Sequence, residues 1–350
     1  MFHYADRGRD GAVRMPCNMP PRSGVLSTVR TLPLTLILGL TIILLCEILL
    51  LIDASSREWA IIPNAELTSP TGPLQTLARW FAVYTTPIAW VAVLLVLDGL
   101  LVLQSNRSHD SKALRGSPVR DRPKRFVLCF LASIPLWLVF DWINFSFMGA
   151  WEYHGLPENL TARYSAYFFA FGAICPAMFL FAELYQGLGL HRVCGLKLCF
   201  GPLARGLFVV MGLLFMVFPI VVQAPIGSVT LWLGWLLLLE PINDHLGVPS
   251  LLGDWQSGRW GRTLALLCAG ATCGLLWEFW NYWAVAKWTY NLAFLGPLEG
   301  YRYFEMPLLG FLGFPVFALE CWTMFQTVSW LWEKMGIVSL EPLPDRTTVL

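Results

Sequence analysis

The chain has 350 residues, of which 56% are hydrophobic and 13% are charged, and its formal net charge is +1. Soluble domains carry about 25% charged residues, so this composition predicts an integral membrane protein and excludes an ordinary soluble enzyme. The basic residues are scattered through loops rather than gathered on one face, which argues against nucleic acid as a partner.

A polar tail at 1–31 precedes the first of eight apolar segments. A helix needs about 20 mostly apolar residues to cross the hydrocarbon core. The segments that qualify are 32–52, 80–104, 126–148, 163–187, 206–223, 227–244, 263–286 and 303–333. We therefore predict an all-α, polytopic membrane protein with about eight transmembrane helices, the last of them kinked at Pro307 and Pro315.

The charge distribution predicts the orientation. With eight spans, both ends of the chain lie on one side of the membrane, together with the loops 105–125, 188–205 and 245–262. These five segments hold 19 of the 24 Lys and Arg residues. Because positively charged loops stay in the cytoplasm, we predict a multi-pass protein of the inner (cell) membrane with both termini cytoplasmic.

One polar motif occurs twice, as "VFDWINFSFMGAWEYHG" at 139–155 and as "LLWEFWNYWAVAKWTYN" at 275–291. An offset of 137 residues matches Asp141 with Glu278, Asn144 with Asn281, Trp151 with Trp288 and Tyr153 with Tyr290. The motif predicts two parallel four-helix pseudo-repeats, 32–187 and 206–333, joined by a cytoplasmic linker at 188–205 and followed by a cytoplasmic tail at 334–350. Repeats of this kind in membrane proteins meet around a central site.

Weaker matches extend the repeat. They place Glu183 opposite Glu320, Pro87–Ile88 opposite Pro225–Ile226 at an offset of 138, and Asp98 and Glu240 deep in corresponding spans. The spacings of these two acids from their prolines differ by four residues, which is about one helical turn.

Seven acidic residues in the predicted spans are candidates for a functional site: Asp98, Asp141, Glu183, Glu240, Glu278, Glu305 and Glu320. A charged carboxylate inside a bilayer costs at least about 2.5 kcal/mol, and no comparable set of Lys or Arg lies in the spans. We therefore expect most of these acids to be protonated or hydrogen-bonded, and a neutral carboxyl group in an apolar cavity is suited to general acid catalysis. The alternative is structural, because buried acids and Asn side chains also tie helices together.

The aromatic residues of the two motifs are candidates for binding a hydrophobic substrate. They are Trp151, Tyr153, Trp288 and Tyr290, with Trp277 and Trp280 on either side of Glu278. The alternative is an aromatic belt at the membrane interface, where Trp and Tyr are enriched.

Several motifs are absent from the sequence. It has five His residues without the spacing of di-iron membrane enzymes, no Asp-rich magnesium motif, and no GxSxG, HExxH or Walker sequence. An enzyme of this kind would work without a metal or another cofactor, by moving protons to or from a lipid-soluble substrate.

The second half resembles the small membrane-bound lycopene cyclases, which are built from two homologous halves, and their carotenoid-hydratase relatives. The resemblance covers about 50 residues per half and consists of Asn281, the Trp288-Thr289-Tyr290 sequence and "YFEMPLLGF" with Glu305 and Pro307. The sequence departs from the family pattern, because adjacent glutamates are absent and Glu precedes Pro. The resemblance implies protonation of an isoprenoid double bond, stabilisation of the cation by aromatic faces, and removal of a proton.

These observations predict a membrane protein that acts on a hydrophobic isoprenoid- or carotenoid-like lipid by acid–base chemistry. The expected acid is Glu278 or Glu305, with Asp141 as its partner and with Asn144 and Asn281 as orienting groups. Two alternatives remain open: a proton-coupled transporter or flippase that loads protons on the same acids, and a non-catalytic membrane assembly subunit.

Overall fold

The computed structural model describes residues 32–57, 69–107, 116–344 and 348–350. The predicted tail at 1–31, part of the basic loop at 105–125 and part of the tail at 334–350 therefore lie outside the described residues. Residues Leu32–Leu350 form one unit, which is almost entirely helical where it is described.

The helices follow one another with four short strands at their ends. In chain order they are α1 (Leu34–Ser56), α2 (Pro73–Val83), α3 (Thr85–Arg107), α4 (Pro118–Asp121), α5 (Pro123–Ile143), α6 (Leu160–Gly187), α7 (Pro202–Val222), α8 (Gly227–His245), α9 (Leu251–Gln256), α10 (Gly261–Trp283), α11 (Leu308–Phe311) and α12 (Gly313–Lys334). A π-helical turn, Asn144–Met148, extends α5. The strands are β1 (Trp151–His154), β2 (Lys287–Tyr290), β3 (Arg302–Tyr303) and β4 (Met306–Pro307), and 3₁₀ turns occupy Leu190–Arg192 and Ala293–Gly300.

Seven helical segments in the described part of the chain are long and apolar enough to cross a membrane: α1, α3, α5 with its extension, α6, α7, α10, and α11 together with α12. They support the prediction of an all-α, multi-pass membrane protein. The 19-residue α8 is less apolar, because its last turns carry Glu240, Asn243 and Asp244. The count of eight spans therefore stays a prediction.

The second predicted span, 80–104, is divided into two helices. α2 ends at Val83 and α3 begins at Thr85, with Tyr84 between them in a non-helical conformation. The membrane helix therefore begins at Thr85, five residues after the predicted start at residue 80.

The last predicted span, 303–333, is wrong in its first five residues, which contribute to an antiparallel β3–β4 hairpin. The apolar span runs over Leu308–Lys334 and consists of α11 and α12, with a break at Leu312 between them. Pro307 lies in β4, and Pro315 lies in the first turn of α12, where a missing N–H has no intrahelical bond to lose. Pro307 therefore kinks no helix, whereas Pro315 follows the break at Leu312 that separates α11 from α12 within the span Leu308–Lys334.

Small residues let neighbouring helices approach closely. A Cβ atom on Gly99 of α3 would lie 2.5 Å from the Leu36 Cβ of α1, and one on Gly212 of α7 would lie 2.5 Å from the Leu238 backbone nitrogen of α8. Both distances are shorter than van der Waals contact, so a larger side chain at either position would push the helix pair apart. Close packing of this kind drives helix association in lipid, where no hydrophobic effect operates between helices.

The two Trp-x-Tyr sequences form a two-stranded ribbon. β1 and β2 pair in antiparallel orientation, with Trp151 opposite Tyr290, Glu152 opposite Thr289 and Tyr153 opposite Trp288. The strands directly follow α5 with its extension and α10, so the C-terminal ends of these two helices lie together at one end of the bundle.

The helix ends are distributed between this ribbon end and the opposite end. Gly227, at the start of α8, packs against Met148 near the ribbon, whereas Gly261, at the start of α10, packs against the backbone of Leu190 and His191 beyond the end of α6. α8 thus begins at the ribbon end of the bundle, and α10 begins at the opposite end.

Candidate functional site

A cavity of about 100 Å³ lies among the helices beneath the β1–β2 ribbon. Its walls are mostly aromatic and come from both predicted halves. The aromatic lining residues are Trp137, Trp151, Tyr153 and Phe171 from the first half and Trp232, Trp277, Trp288, Tyr290, Phe314 and Phe317 from the second. Thr86, Ala170, Ile174 and Met306 complete the lining.

Asp141, in the last turn of α5, is hydrogen-bonded to two of these lining residues. The Trp151 indole N–H donates to its Oδ1 at 3.0 Å, and the Tyr153 hydroxyl approaches its two oxygens at 2.9 and 3.2 Å. The Trp137 indole, one helical turn earlier on α5, donates to the Tyr153 hydroxyl at 3.2 Å. Asp141 therefore receives donors at both oxygens, which favours its carboxylate form.

Glu278, in α10, has a similar but incomplete set of partners. The Tyr290 hydroxyl donates to its Oε1 at 2.7 Å, and the Trp288 indole N–H donates to the Tyr290 hydroxyl at 2.6 Å. The Oε2 atom is buried and has no partner among the described residues. A protonated carboxyl group would place its hydrogen on this second oxygen, whereas a carboxylate would leave a buried charge unsatisfied.

The two Asn residues hold the strands against their helices. Asn144 accepts from the backbone N–H groups of Ala150 and Trp151 and donates to Trp151 O at 2.8 Å. Asn281 accepts from Trp288 N and donates to Trp288 O, both at 2.8 Å. Both are fully buried. Since their amide groups are bonded to backbone, the Asn residues position the Trp-x-Tyr strands rather than face the cavity.

The two tyrosines retain their hydroxyl protons. Burial, followed by the negative charge of Asp141, raises the pKa of Tyr153 well above its ordinary value. Burial, the largest cause, does the same to the pKa of Tyr290. Each hydroxyl is therefore a proton-bearing group that lines the cavity and contacts a carboxyl group behind it.

Two further cavities adjoin the central one. The first, of about 240 Å³, shares Trp151, Trp232, Tyr290 and Met306 with it and is otherwise lined mainly by residues of α8, α11 and α12. The second, of about 60 Å³, lies between α3 and α6.

Asp141, Glu278, Asn144 and Asn281 lie behind the cavity lining and bond to it, whereas the side chains of two further predicted site residues, Trp280 and Glu305, bond elsewhere. The Trp280 indole donates to Glu47 of α1 at 2.7 Å, and its ring packs on Trp90. Glu305 forms a buried ion pair with Lys287 of β2. Burial lowers the pKa of Lys287, and the bond to Glu305 opposes that change.

The expectation that the acids lack cationic partners is wrong for three of them. Arg120 pairs with Asp98 at 2.7 Å, Arg122 approaches Glu183 at 3.5 Å, and Lys287 pairs with Glu305. These cations come from segments beside the helices and reach inward, which a count of charges within the spans does not reveal.

The two remaining acids, Glu240 and Glu320, accept hydrogen bonds within the bundle. Glu240 accepts from the Thr323 hydroxyl at 2.6 Å and from Leu252 N at 3.0 Å, and Glu320 accepts from Trp235 N at 3.1 Å. The geometry of Glu240 is that of a clamp between α8, α9 and α12.

Several lining residues, among them Trp137 and Trp232, are not among the predicted site residues. Trp137 could have been found, because it precedes Asp141 by one helical turn. Trp232 follows Trp90 by 142 residues, and Gly227 at the start of α8 follows Thr85 at the start of α3 by the same offset. The proline match at an offset of 138 was misleading, since Pro87 lies within α3 whereas Pro225 precedes α8.

Comparisons with known proteins do not assign the site. No protein-family model, no curated protein and no solved structure matches the chain. Among the described residues, no group of three or more His, Cys, Asp or Glu side chains is placed to hold a metal ion.

Proposed function

We propose that this membrane protein binds the end group of an isoprenoid- or carotenoid-like lipid in the central cavity and transforms it by acid–base chemistry. One observation carries the proposal: Tyr153 and Tyr290 both line the cavity, and each donates its hydroxyl to a buried carboxyl group. Two carboxyl groups in different environments can take the separate roles of acid and base.

Glu278 serves as the proton source. For the transfer the hydrogen bond between the two groups reverses: the Tyr290 hydroxyl, which donates to Glu278 Oε1 in the structure, turns to a terminal alkene carbon, and the Glu278 carboxyl group donates to the Tyr290 oxygen. The Tyr290 proton then moves to the alkene carbon, and the carboxyl proton of Glu278 replaces it, so that Glu278 becomes a carboxylate. The alkene's electron pair forms the new C–H bond and leaves a carbocation on the neighbouring carbon. The Oε2 atom without a partner supports this role, because it is available to carry the proton.

Asp141 serves as the base. In a cyclisation, a second alkene of the substrate attacks the cation, and the cyclic cation loses a proton through Tyr153 to Asp141, so that the product is an isomer of the substrate. In a hydration, water captures the cation and loses a proton by the same route. The donors to Asp141 favour its carboxylate form before the proton arrives.

The aromatic walls supply what a carbocation needs. The Trp151 ring stacks on the rings of Trp137 and Trp232, with centroid distances of 5.9 and 6.2 Å. The face of an indole attracts a cation, and the attraction reaches about 2 kcal/mol or more where water is excluded. The same walls protect the cation from premature capture by water.

The cavity volume favours an end group over a whole polyene. A cavity of about 150 Å³ binds benzene, so the central cavity of about 100 Å³ holds a group of similar or smaller size. The remaining chain would lie in the adjoining cavities and in the bilayer. This arrangement agrees with the resemblance to lycopene cyclases and carotenoid hydratases.

The ribbon supports the count of eight spans. α5 and α10 both end there, which fits a chain that crosses the membrane an even number of times from the end of α5 to the end of α10. The crossings are α6, α7, α8 and α10, which makes α8 a membrane helix despite its polar last turns. With the basic loops inside, both termini are cytoplasmic and the ribbon faces outward.

The direct test is lipid and pigment profiling of cells with and without the chain, and with Glu278→Gln. The proposal expects an isoprenoid whose structure changes with the wild-type chain and not with Glu278→Gln. An unchanged lipid profile together with an acid-dependent flux of a solute or lipid would favour the carrier. No change in either would favour the assembly subunit.

A further inference from the structure

Two polar groups beside the central cavity lack a hydrogen-bond partner among the described residues, and both lie on one face of α3. The Thr86 side chain lines the cavity, and its hydroxyl oxygen is enclosed. Trp90 follows one helical turn later, is 1% exposed, and leaves its indole N–H unpaired. Residues four apart share a helix face, so the two donors lie on the same side of α3.

Comparable groups nearby are satisfied. Thr85 donates its hydroxyl to Phe81 O at 2.9 Å, the usual solution for a Thr within a helix. The indoles of Trp137 and Trp288, which line the same cavity, donate to tyrosine hydroxyls. Since buried polar groups are hydrogen-bonded in the great majority of cases, two orphaned donors beside one cavity point to a group supplied from outside the chain.

A third unpaired atom belongs to the same region. Glu278 Oε2 is buried without a partner, and its neighbour Trp277 packs its ring 5.0 Å from that of Trp90. The hydroxyl group of a ligand can accept hydrogen bonds from both Thr86 and Trp90 while it donates its own hydrogen to the Glu278 carboxyl group. The carbonyl oxygen of a ligand can accept from both Thr86 and Trp90. A hydrocarbon can satisfy none of the three atoms.

We infer that the substrate carries an oxygen atom, as an alcohol or carbonyl, near the end group held in the cavity, and that Thr86 and Trp90 bind this oxygen. The inference rests on the proposed function, which places an isoprenoid-like end group there. It narrows the substrate from isoprenoid hydrocarbons to oxygenated isoprenoids. Thr86 and Trp90 then determine specificity, while Glu278 and Asp141 carry out the chemistry.

Binding of two matched probes tests the inference. Geraniol and 2,6-dimethylocta-2,6-diene share one carbon skeleton and differ by the hydroxyl group. Quenching of the intrinsic fluorescence of the lining tryptophans gives a Kd for each in detergent micelles. The ratio of the two Kd values is compared between wild type and Thr86→Val, so that the unequal partitioning of the probes into micelles cancels. We expect the preference for geraniol to fall about tenfold in Thr86→Val.

Thr85→Val is the matched control, because its hydroxyl is already bonded to the helix, and it should leave the ratio unchanged. Trp90→Phe removes the second donor and should also reduce the preference for geraniol. An equal ratio in wild type, Thr86→Val and Trp90→Phe would overturn the inference, as would a failure of both probes to bind. Binding is measured without turnover, so an active Glu278→Gln variant would refute the proposed chemistry and leave this result standing.

Discussion

Glu152 and Thr289 face each other at the centre of the β1–β2 ribbon, and they are also 137 residues apart, the offset that matches the two motifs. In an antiparallel pair of repeated strands, a residue lies opposite its own counterpart only at the point where a local twofold axis relates the two strands. Trp151 consequently faces Tyr290, and Tyr153 faces Trp288. This relationship explains why one polar motif is present twice: each copy brings its acid and its aromatic residues to the same cavity.

The first prediction concerns orientation. Glu158, near the ribbon end, and Ser257, in the 245–262 loop, are both exposed. In a background without Cys17, Cys194, Cys199 and Cys268, a membrane-impermeant maleimide should label Glu158→Cys in intact cells and miss Ser257→Cys until the cells are lysed. The reverse labelling pattern would invert the topology and place the cavity near the cytoplasmic face.

The second prediction concerns the Asn side chains as strand anchors. Asn144→Ala removes three hydrogen bonds to the backbone of Ala150 and Trp151. Leaving buried backbone groups unpaired costs about 1–3 kcal/mol each, so we expect a clear loss of thermal stability in detergent. Asn281→Ala removes two such bonds and should cost less.

Asn159→Ala is the control for this comparison. Asn159 is exposed and caps the start of α6 through one bond to Ala162 N at 3.0 Å. Losing such a cap costs about 1 kcal/mol. A Tm decrease in Asn144→Ala no larger than that of Asn159→Ala would contradict the anchoring role.

The sequence alone was sufficient for the class of fold and for the finding that one motif occurs twice, but not for the pairing of its two copies as strands. Long apolar segments identify membrane helices directly, and the spacing of Asp141, Asn144 and Trp151 recurs in the second half. The helix type is decided locally, because a backbone in lipid must satisfy its hydrogen bonds within its own segment.

The sequence was less informative where tertiary contacts determine the local structure or the partner of a side chain. The sequence of the hairpin at 302–307 belongs to an apolar segment whose pattern is also compatible with a helix. Hydrophobic periodicity therefore could not distinguish a strand from a helix there. The Lys287–Glu305 pair joins residues 18 apart across an irregular segment, and Thr86 reaches the cavity only through the packing of α3. Neither relationship has a signature in local spacing.

The third prediction separates structure from catalysis at Glu305. Lys287 is 4% exposed, and its ammonium also donates to Tyr282 O at 3.3 Å. Glu305→Gln leaves the buried Lys287 ammonium without its counter-ion, which typically lowers the free energy of unfolding by about 3–5 kcal/mol. The double variant Lys287→Met with Glu305→Gln removes both charges and should recover most of the lost Tm. A double variant that is stable but inactive would instead give Glu305 a direct role in the reaction.

The fourth prediction tests the hydroxyl between Glu278 and the cavity. Tyr290→Phe keeps the aromatic ring and removes the group that passes the proton, so we expect activity to fall by about 10²-fold or more. Tyr153→Phe removes the corresponding group in front of Asp141, and its effect should fall on proton removal. Under the proposed mechanism, Tyr153→Phe should therefore still allow the substrate to be protonated and to lose a proton again. In D₂O this reversal would be detected as deuterium in the recovered substrate. Exchange with Tyr290→Phe and none with Tyr153→Phe would reverse the two roles.

The last prediction concerns Glu278 itself. Glu278→Gln keeps the size of the side chain and its ability to accept from the Tyr290 hydroxyl, but it removes the transferable proton. If Glu278 is the proton source, the variant should lose about 10²–10⁴-fold in activity while its membrane insertion and Tm stay near those of wild type. If Glu278 only ties α10 to the ribbon, Gln should restore most of the function, because an amide also hydrogen-bonds in this position. Asp141→Asn is the matched variant in the first half. It should be less damaging, since Asp141 acts after the cation has formed and solvent or product can accept a proton slowly in its place. Activity above about a tenth of wild type in Glu278→Gln would exclude Glu278 as the general acid.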